Sequence, residues 1–243
     1  MTIPGGGKGP MDETYALVRR KDAAVAFRYR ARALTAASAI MRHLKPQGPL
    51  QVLDFGSADG TSVLEMRRLL PSGTAITGIE YSAALVSLAG DLGADIQIVQ
   101  GDIAALPECI RPRRYDVVTA LAVLEHLPQP LVALREAAAV LKSGGIIVAT
   151  CPDPVWDALA TRSGLLEDHH EARLPRLQLM AFARQVGLDV LEYRRFMWAP
   201  IGFLPYVRIR VSPAFSHRLD EALPQSRLLR WLFINQLLVA RKP

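Results

Sequence analysis

The stretch Val52–Gly60, VLDFGSADG, joins an apolar run, a carboxylate and two glycines within nine residues. A strand that stops in a glycine turn and opens a helix leaves backbone N–H groups without intrahelical partners, and these face the crevice at the carboxyl edge of a parallel sheet. Twenty positions beyond Gly60, Glu80 ends a second apolar run, ITGIE. A carboxylate there is placed to accept hydrogen bonds from ribose hydroxyls. A dinucleotide loop needs G-x-G-x-x-G so that the backbone can approach a pyrophosphate. This chain instead has Gly56-x-x-x-Gly60 with Asp59 beside the second glycine, a charge that repels a diphosphate. The spacing predicts a bound nucleoside and argues against a pyrophosphate.

The sequence on either side continues the pattern. IQIVQGDIAALP is a short apolar run ending at Gly101-Asp102, YDVVTALAVLEHLPQP is a strand followed by a turn, and EAAAVLKSGGIIVATCP is a helix, a glycine turn and a strand. In this order, from about Val52 to Pro152, Asp54, Gly56, Gly60, Glu80 and Asp102 resemble the class I S-adenosylmethionine-dependent methyltransferases. The resemblance implies a Rossmann-like α/β fold of seven strands, mostly parallel with an antiparallel last strand, and S-adenosyl-L-methionine as cofactor. It implies that Glu80 and Asp102 hold the ribose and the adenine amino group. Asp54, Gly56, Ser57, Ala58, Gly60, Tyr81, Ile103, Ala120 and Leu121 complete the implied cofactor set. The central glycine of the family's first loop is Ala58 here. A methyl group is tolerated there if its φ stays negative. Ser82, after Tyr81, reads foremost as the cap of the next helix.

Strands at about 50–55, 75–80, 96–100, 115–120 and 145–151 alternate with helical stretches, which implies parallel pairing through right-handed crossovers with helices on both faces. LDVLEYRRF, 188–196, predicts a sixth strand and FINQLLVARKP a seventh, antiparallel beside the sixth. The first ten residues, glycine-rich, are expected to be mobile. From about Asp12 to Leu44 an alanine-rich stretch with Leu17, Phe27, Leu34 and Ile40 predicts one or two amphipathic helices ahead of the sheet, ended by Pro46–Pro49. All of 11–243 is expected to form one domain.

Charge is unevenly distributed. Residues 1–49 carry nine Lys/Arg against three Asp/Glu, residues 50–193 eleven against eighteen, and residues 194–243 nine against two. The net +6 therefore comes from two basic ends flanking an acidic core, which points to an anionic partner or simply to solubility. Two cysteines, Cys109 and Cys151, are too few for a disulfide framework and lack metal-ligand spacing, so a reducing cytoplasm is expected. MTIPGGGKGP lacks the apolar centre of a signal peptide, and no run of eighteen apolar residues occurs.

The segment from about Met197 to Leu232, between the last two strands, interleaves Trp198, Phe203, Tyr206, Phe215 and Trp231 with Arg208, Arg210, Arg218, Arg227 and Arg230. It is expected to roof the acceptor site. Aromatic residues followed by arginines suit an anionic membrane surface, which points to a lipid-like acceptor, while the resemblance to the family's small-molecule branch implies a small one; packing of the aromatics on the sheet is the plainer account. Prolines at 200, 205, 213 and 224 break any single long helix.

Methyl transfer asks mainly for alignment and exclusion of water, effects that together supply roughly 7 to 11 kcal/mol. A hydroxyl acceptor must also lose its proton, for which a neutral imidazole is suited near neutral pH. His126 is the first candidate, because LeuGluHisLeu after the fourth strand resembles the family's small-molecule branch, and that resemblance implies a place at the rim of the acceptor pocket. A histidine ordering the turn at Pro128 is the alternative. His169 and His170 are further candidates, since the resemblance implies a histidine just before a helix that lines the pocket, but adjacent side chains point apart, so no metal is expected. No Asn/Asp-Pro-Pro-aromatic motif follows the fourth strand, which disfavours base amines of nucleic acids as acceptors, although the basic aromatic segment keeps an RNA acceptor open. A catalytically silent cofactor-binding protein is a third reading.

Overall fold

Neighbouring strand residues face opposite sides of a sheet, and in this chain both sides are apolar. The computed structural model describes residues 22–162, 171–223, 226 and 229–243. The predicted mobile residues 1–10, as well as His169 and His170, lie outside the described residues. Seven strands, β1 (Gln51–Phe55), β2 (Ala75–Glu80), β3 (Ile96–Gln100), β4 (Tyr115–Leu121), β5 (Leu141–Pro152), β6 (Asp189–Trp198) and β7 (Phe233–Arg241), form one sheet in the order β3-β2-β1-β4-β5-β7-β6. β1 to β5 pair in parallel, and β7 runs antiparallel to both β5 and β6. The seventh strand thus inserts between the fifth and the sixth.

Leu53, Phe55, Val118, Ala120, Ile147 and Ala149 cover one face with helices α4 (Pro130–Val140) and α6 (Arg176–Gln185). Val52, Val117, Ile146, Val148, Leu237 and Val239 cover the other with α1 (Ala23–Leu44) and α2 (Thr61–Arg67). In α1 the Asp22 carboxylate accepts from the N–H of Ala24 and of Val25, at 2.8 and 3.1 Å, and so caps the first turn. Six of its ten buried residues are alanine, Ala33, Ala36, Ala37 and Ala39 among them, so the helix lies close against the sheet. α3 (Ala83–Ala89) is capped by Ser82, whose hydroxyl accepts from the Leu85 N–H at 3.4 Å, as its sequence predicts.

The sheet order reverses between β1 and β4, which opens a crevice at their carboxyl ends. Beyond it, α5 (Pro154–Arg162) follows β5, and the connection between the last strands spans 199–232, two residues shorter at its start than the sequence predicts because β6 continues to Trp198. It holds α7 (Ala199–Phe203), a 3-10 turn over Leu204–Val207 and α8 (Pro213–Ala222). Its entry is pinned by Asp220, whose carboxylate accepts the N–H groups of Met197 (2.8 Å) and Trp198 (3.0 Å). Burial pushes that carboxyl up to about 6. Trp198 and Phe203 are partly buried, whereas Tyr206, Phe215 and Trp231 are exposed, so the expectation of aromatic core packing holds for only part of the set.

Candidate active site

After β1 the chain turns back onto β2: the N–H groups of Gly56 and Ser57 both donate to the Ile79 carbonyl, at 2.9 and 3.1 Å. Gly56 and Gly60 have φ of 73° and 77°, and a Cβ on Gly56 would meet a Val123 methyl at 2.6 Å. Glycine is required at this close approach. Asp54 lies beneath the loop at 2% exposure, where its carboxylate accepts from the hydroxyls of Thr119 (2.5 Å) and Ser57 (2.8 Å). Burial, opposed by those two hydrogen bonds, pushes its carboxyl up to about 6. Asp59 is also turned inward and accepts from the Thr61 hydroxyl at 3.0 Å.

Glu80 joins the two loops. One of its oxygens accepts the Ala58 N–H at 2.8 Å and the other the Ser82 N–H at 2.9 Å. A carboxylate oxygen has more than one lone pair, so Glu80 keeps acceptor capacity toward the crevice. Asp102 stands on the neighbouring tip: Glu80 pairs with Gln100 across β2 and β3, and the Gly101 N–H donates to the Glu80 carbonyl at 2.9 Å. It is exposed, with one oxygen accepting from Ala104 N–H at 2.8 Å, and Ile103 beside it is buried. Tyr81 is exposed, while Ala120 and Leu121 are buried at the end of β4. The donor set is two carboxylates on adjacent strand tips, small residues and apolar contacts. That set fits an adenosine bearing positive sulfur and would repel a polyphosphate.

Ala58 overturns one expectation. Its φ is 49°, in the left-handed region, not negative. The hydrogen bond to Glu80 fixes the N–H there, so the loop keeps a glycine-like backbone in spite of the methyl group.

On the other side of the crevice, Ala122 follows β4 with φ of 56°, and a 3-10 turn covers Leu124–His126. His126 is half-buried in this turn, its N–H donating to the Val123 carbonyl at 3.1 Å. Glu125, the neighbour of the candidate base, is the buried member of the pair at 3% exposure. It lies beside Cys151 at the end of β5, and burial, then the Glu125 charge, push that thiol well above its ordinary value. Among the described residues no His/Cys/Asp/Glu group could hold a metal ion.

Residues 26–193 match the family model for a methyltransferase domain. The chain belongs to this family. S-adenosylmethionine is its cofactor and methyl transfer its activity. Among the methyltransferase's relatives, the ubiquinone biosynthesis O-methyltransferase of Albidiferax ferrireducens is 28% identical over 177 residues, covering 66% of this chain and 68% of that protein. The protein of the same name from Serratia proteamaculans is 32% identical over 98 residues, only 39% of each. The structure of the magnesium protoporphyrin IX methyltransferase of Synechocystis with bound SAH superposes with a TM-score of 0.58 at 14% identity, covering 98% of this chain and 90% of that one. At that identity the likeness speaks for the fold alone.

Proposed function

We propose that this methyltransferase acts on an oxygen of a small amphipathic acceptor. The observation that carries the nucleoside half of the reading is the Glu80 clamp: one buried carboxylate ties the Gly56–Gly60 loop to the turn after β2, and Asp102 stands on the adjacent tip. In this reading Glu80 and Asp102 hold the nucleoside, Tyr81, Ile103 and the end of β4 flank it, and Asp54 and Ser57 support the loop from below. The cofactor, when bound, supplies an electrophilic methyl group on sulfonium. The chain then has to orient the acceptor, exclude water and receive a proton. His126, on the turn opposite the cofactor loop, is the proposed base, with the acceptor hydroxyl giving its proton to the imidazole as methyl transfers. Oxygen as the acceptor atom is supported by the distant relatives named O-methyltransferases.

The surface around the acceptor side supports peripheral contact with an anionic membrane. Val155 and Leu159 on α5 and Val207, Ile209 and Trp231 of the last connection are exposed, near Arg208, Arg210 and Arg230. Exposed apolar side chains among cations complement an anionic headgroup layer. Among the described residues no helix is long and apolar enough to cross a membrane.

Isothermal titration with S-adenosylmethionine and S-adenosylhomocysteine tests the nucleoside site, and no binding by either at millimolar concentration would refute it. Labelling of cell extracts with methyl-labelled cofactor, read by mass spectrometry, identifies the acceptor; a labelled nitrogen or carbon would refute the oxygen assignment. Flotation with anionic liposomes at low salt tests the membrane contact, which failure to float would exclude.

A further inference from the structure

A cavity of about 200 Å³ lies past the carboxyl end of β5, roofed by the connection between the last two strands. Trp156, Phe203, Tyr206 and Ile234 form apolar walls, and Arg28, Asn235 and the buried carboxylate of Asp157 bring polar groups to it. These residues come from α1, α5, the roof and the first residues of β7, so the cavity exists only in the assembled fold. It is distinct from the Gly56–Gly60 loop, none of whose residues line it.

The walls are fixed. The Trp156 ring is tilted 50° to Phe203 with centroids 5.7 Å apart, and Phe203 is tilted 46° to Tyr206 at 6.1 Å. Trp156 Nε1 donates to the Trp231 carbonyl at 2.6 Å, and Arg28 Nη1 donates to the Tyr206 hydroxyl at 2.7 Å. Asn235 is held from behind by Arg32, whose Nε and Nη2 donate to its side-chain oxygen at 3.3 and 3.1 Å. The 3-10 turn of the roof ends at Arg208, which takes a left-handed φ of 65°. Tilted rings at these separations offer both faces and edges to a further ring.

Size and polarity narrow the occupant. An apolar protein cavity of about 150 Å³ takes benzene, so about 200 Å³ takes one six-membered ring with a small substituent and excludes a fused polycycle from full burial. Arg28 Nε is shielded from solvent and has no hydrogen-bond partner among the described residues. An unpaired buried donor is costly, and an acceptor atom on the ligand would satisfy it. The outer wall, by contrast, ends in Val207, 66% exposed, so a substituent on the far side of the ring leaves over an apolar surface.

We propose that this cavity is a recognition subsite for a single aromatic ring of the acceptor, carrying an oxygen that accepts from Arg28. Calling the ligand the acceptor rests on the methyltransferase reading; the ring-binding site itself does not. Isothermal titration of the full chain with 4-ethylphenol, and separately with S-adenosylhomocysteine, tests it. The expected result is saturable one-to-one binding of 4-ethylphenol. Ala160→Phe, which extends a ring into the cavity from its wall, should weaken that binding at least tenfold and leave S-adenosylhomocysteine affinity within twofold. The smaller Ala160→Leu should act in the same direction, so the test survives if the larger side chain unfolds the protein. Arg28→Met should weaken 4-ethylphenol at least fivefold. Absence of saturable binding by the wild type, or binding unchanged in both Ala160 variants, would overturn the proposal. Loss of S-adenosylhomocysteine binding in the wild type would instead refute the cofactor site and leave the ring subsite to be judged on the phenol alone.

Discussion

Replacing Glu80 by Gln removes one negative charge and almost no volume, yet it strikes the point at which two loops are joined. The carboxylate accepts the N–H of Ala58 with one oxygen and of Ser82 with the other. A carboxamide accepts with one atom only, and turns an NH2 toward whichever N–H it does not serve. The variant therefore loses one charge-assisted hydrogen bond and leaves a buried backbone donor unsatisfied, a cost of about 2–3 kcal/mol. For a chain of this size each kcal/mol lowers Tm by about 2–4 °C, so a fall of roughly 5–10 °C is expected. Differential scanning calorimetry at neutral pH measures it. The same substitution withdraws the carboxylate assigned to the ribose, so the Kd for S-adenosylhomocysteine should rise more than tenfold, about 1.4 kcal/mol. A variant that melts within 1 °C of the wild type would show that the clamp carries no stability. One that melts low but binds S-adenosylhomocysteine with undiminished affinity would remove Glu80 from the nucleoside site.

Three further outcomes are expected. Ala58→Gly releases a left-handed backbone that costs an L-residue about 1–2 kcal/mol, offset by the about 0.4–1 kcal/mol that glycine adds to unfolded-chain entropy. A small gain in urea stability should result, and a loss would mean that φ at this position carries no strain. Asp54 has a folded-state pKa of about 6 against 3.8, so the folded state holds its proton more tightly and its contribution falls as pH rises from about 4 to 6, by about 3 kcal/mol in all. The stability of Asp54→Asn relative to wild type should therefore increase over that interval and level off above it; a difference independent of pH would refute the burial argument. His126→Gln should lower turnover by about a hundredfold or more and leave the Kd for S-adenosylhomocysteine within twofold, and unchanged turnover would exclude the imidazole as base.

The placement of the proposed cofactor residues was legible because it depends on short-range rules. A strand end, a glycine turn and a carboxylate one crossover later put Gly56, Glu80 and Asp102 at one sheet edge through parallel pairing alone. The spacing did not reveal that Ala58 takes the left-handed conformation, because that follows from a hydrogen bond to Glu80, 22 residues away in the chain. Nor did it show that Asp54 and Asp59 turn inward, since a carboxylate beside a glycine loop reads the same whether it faces a ligand or a neighbouring hydroxyl. In LeuGluHisLeu the residue type drew attention to His126; the 3-10 turn is what buries Glu125 in its place.

The acceptor side is written differently into the chain. Arg28, Trp156, Phe203 and Asn235 meet only after α1, α5, the roof and β7 have packed, and no local pattern relates them. Insertion of β7 between β5 and β6 is what brings Ile234 and Asn235 beside Pro152, and it is the antiparallel register with β5 that sets their height against α5. In the proposed reading the cofactor is therefore held by loops that backbone geometry places at the sheet edge, while the acceptor ring meets side chains brought together from distant segments. Substitutions at Phe203 or Ala160 should accordingly change which acceptor is methylated with little effect on cofactor affinity, and substitutions at Glu80 should weaken every reaction alike.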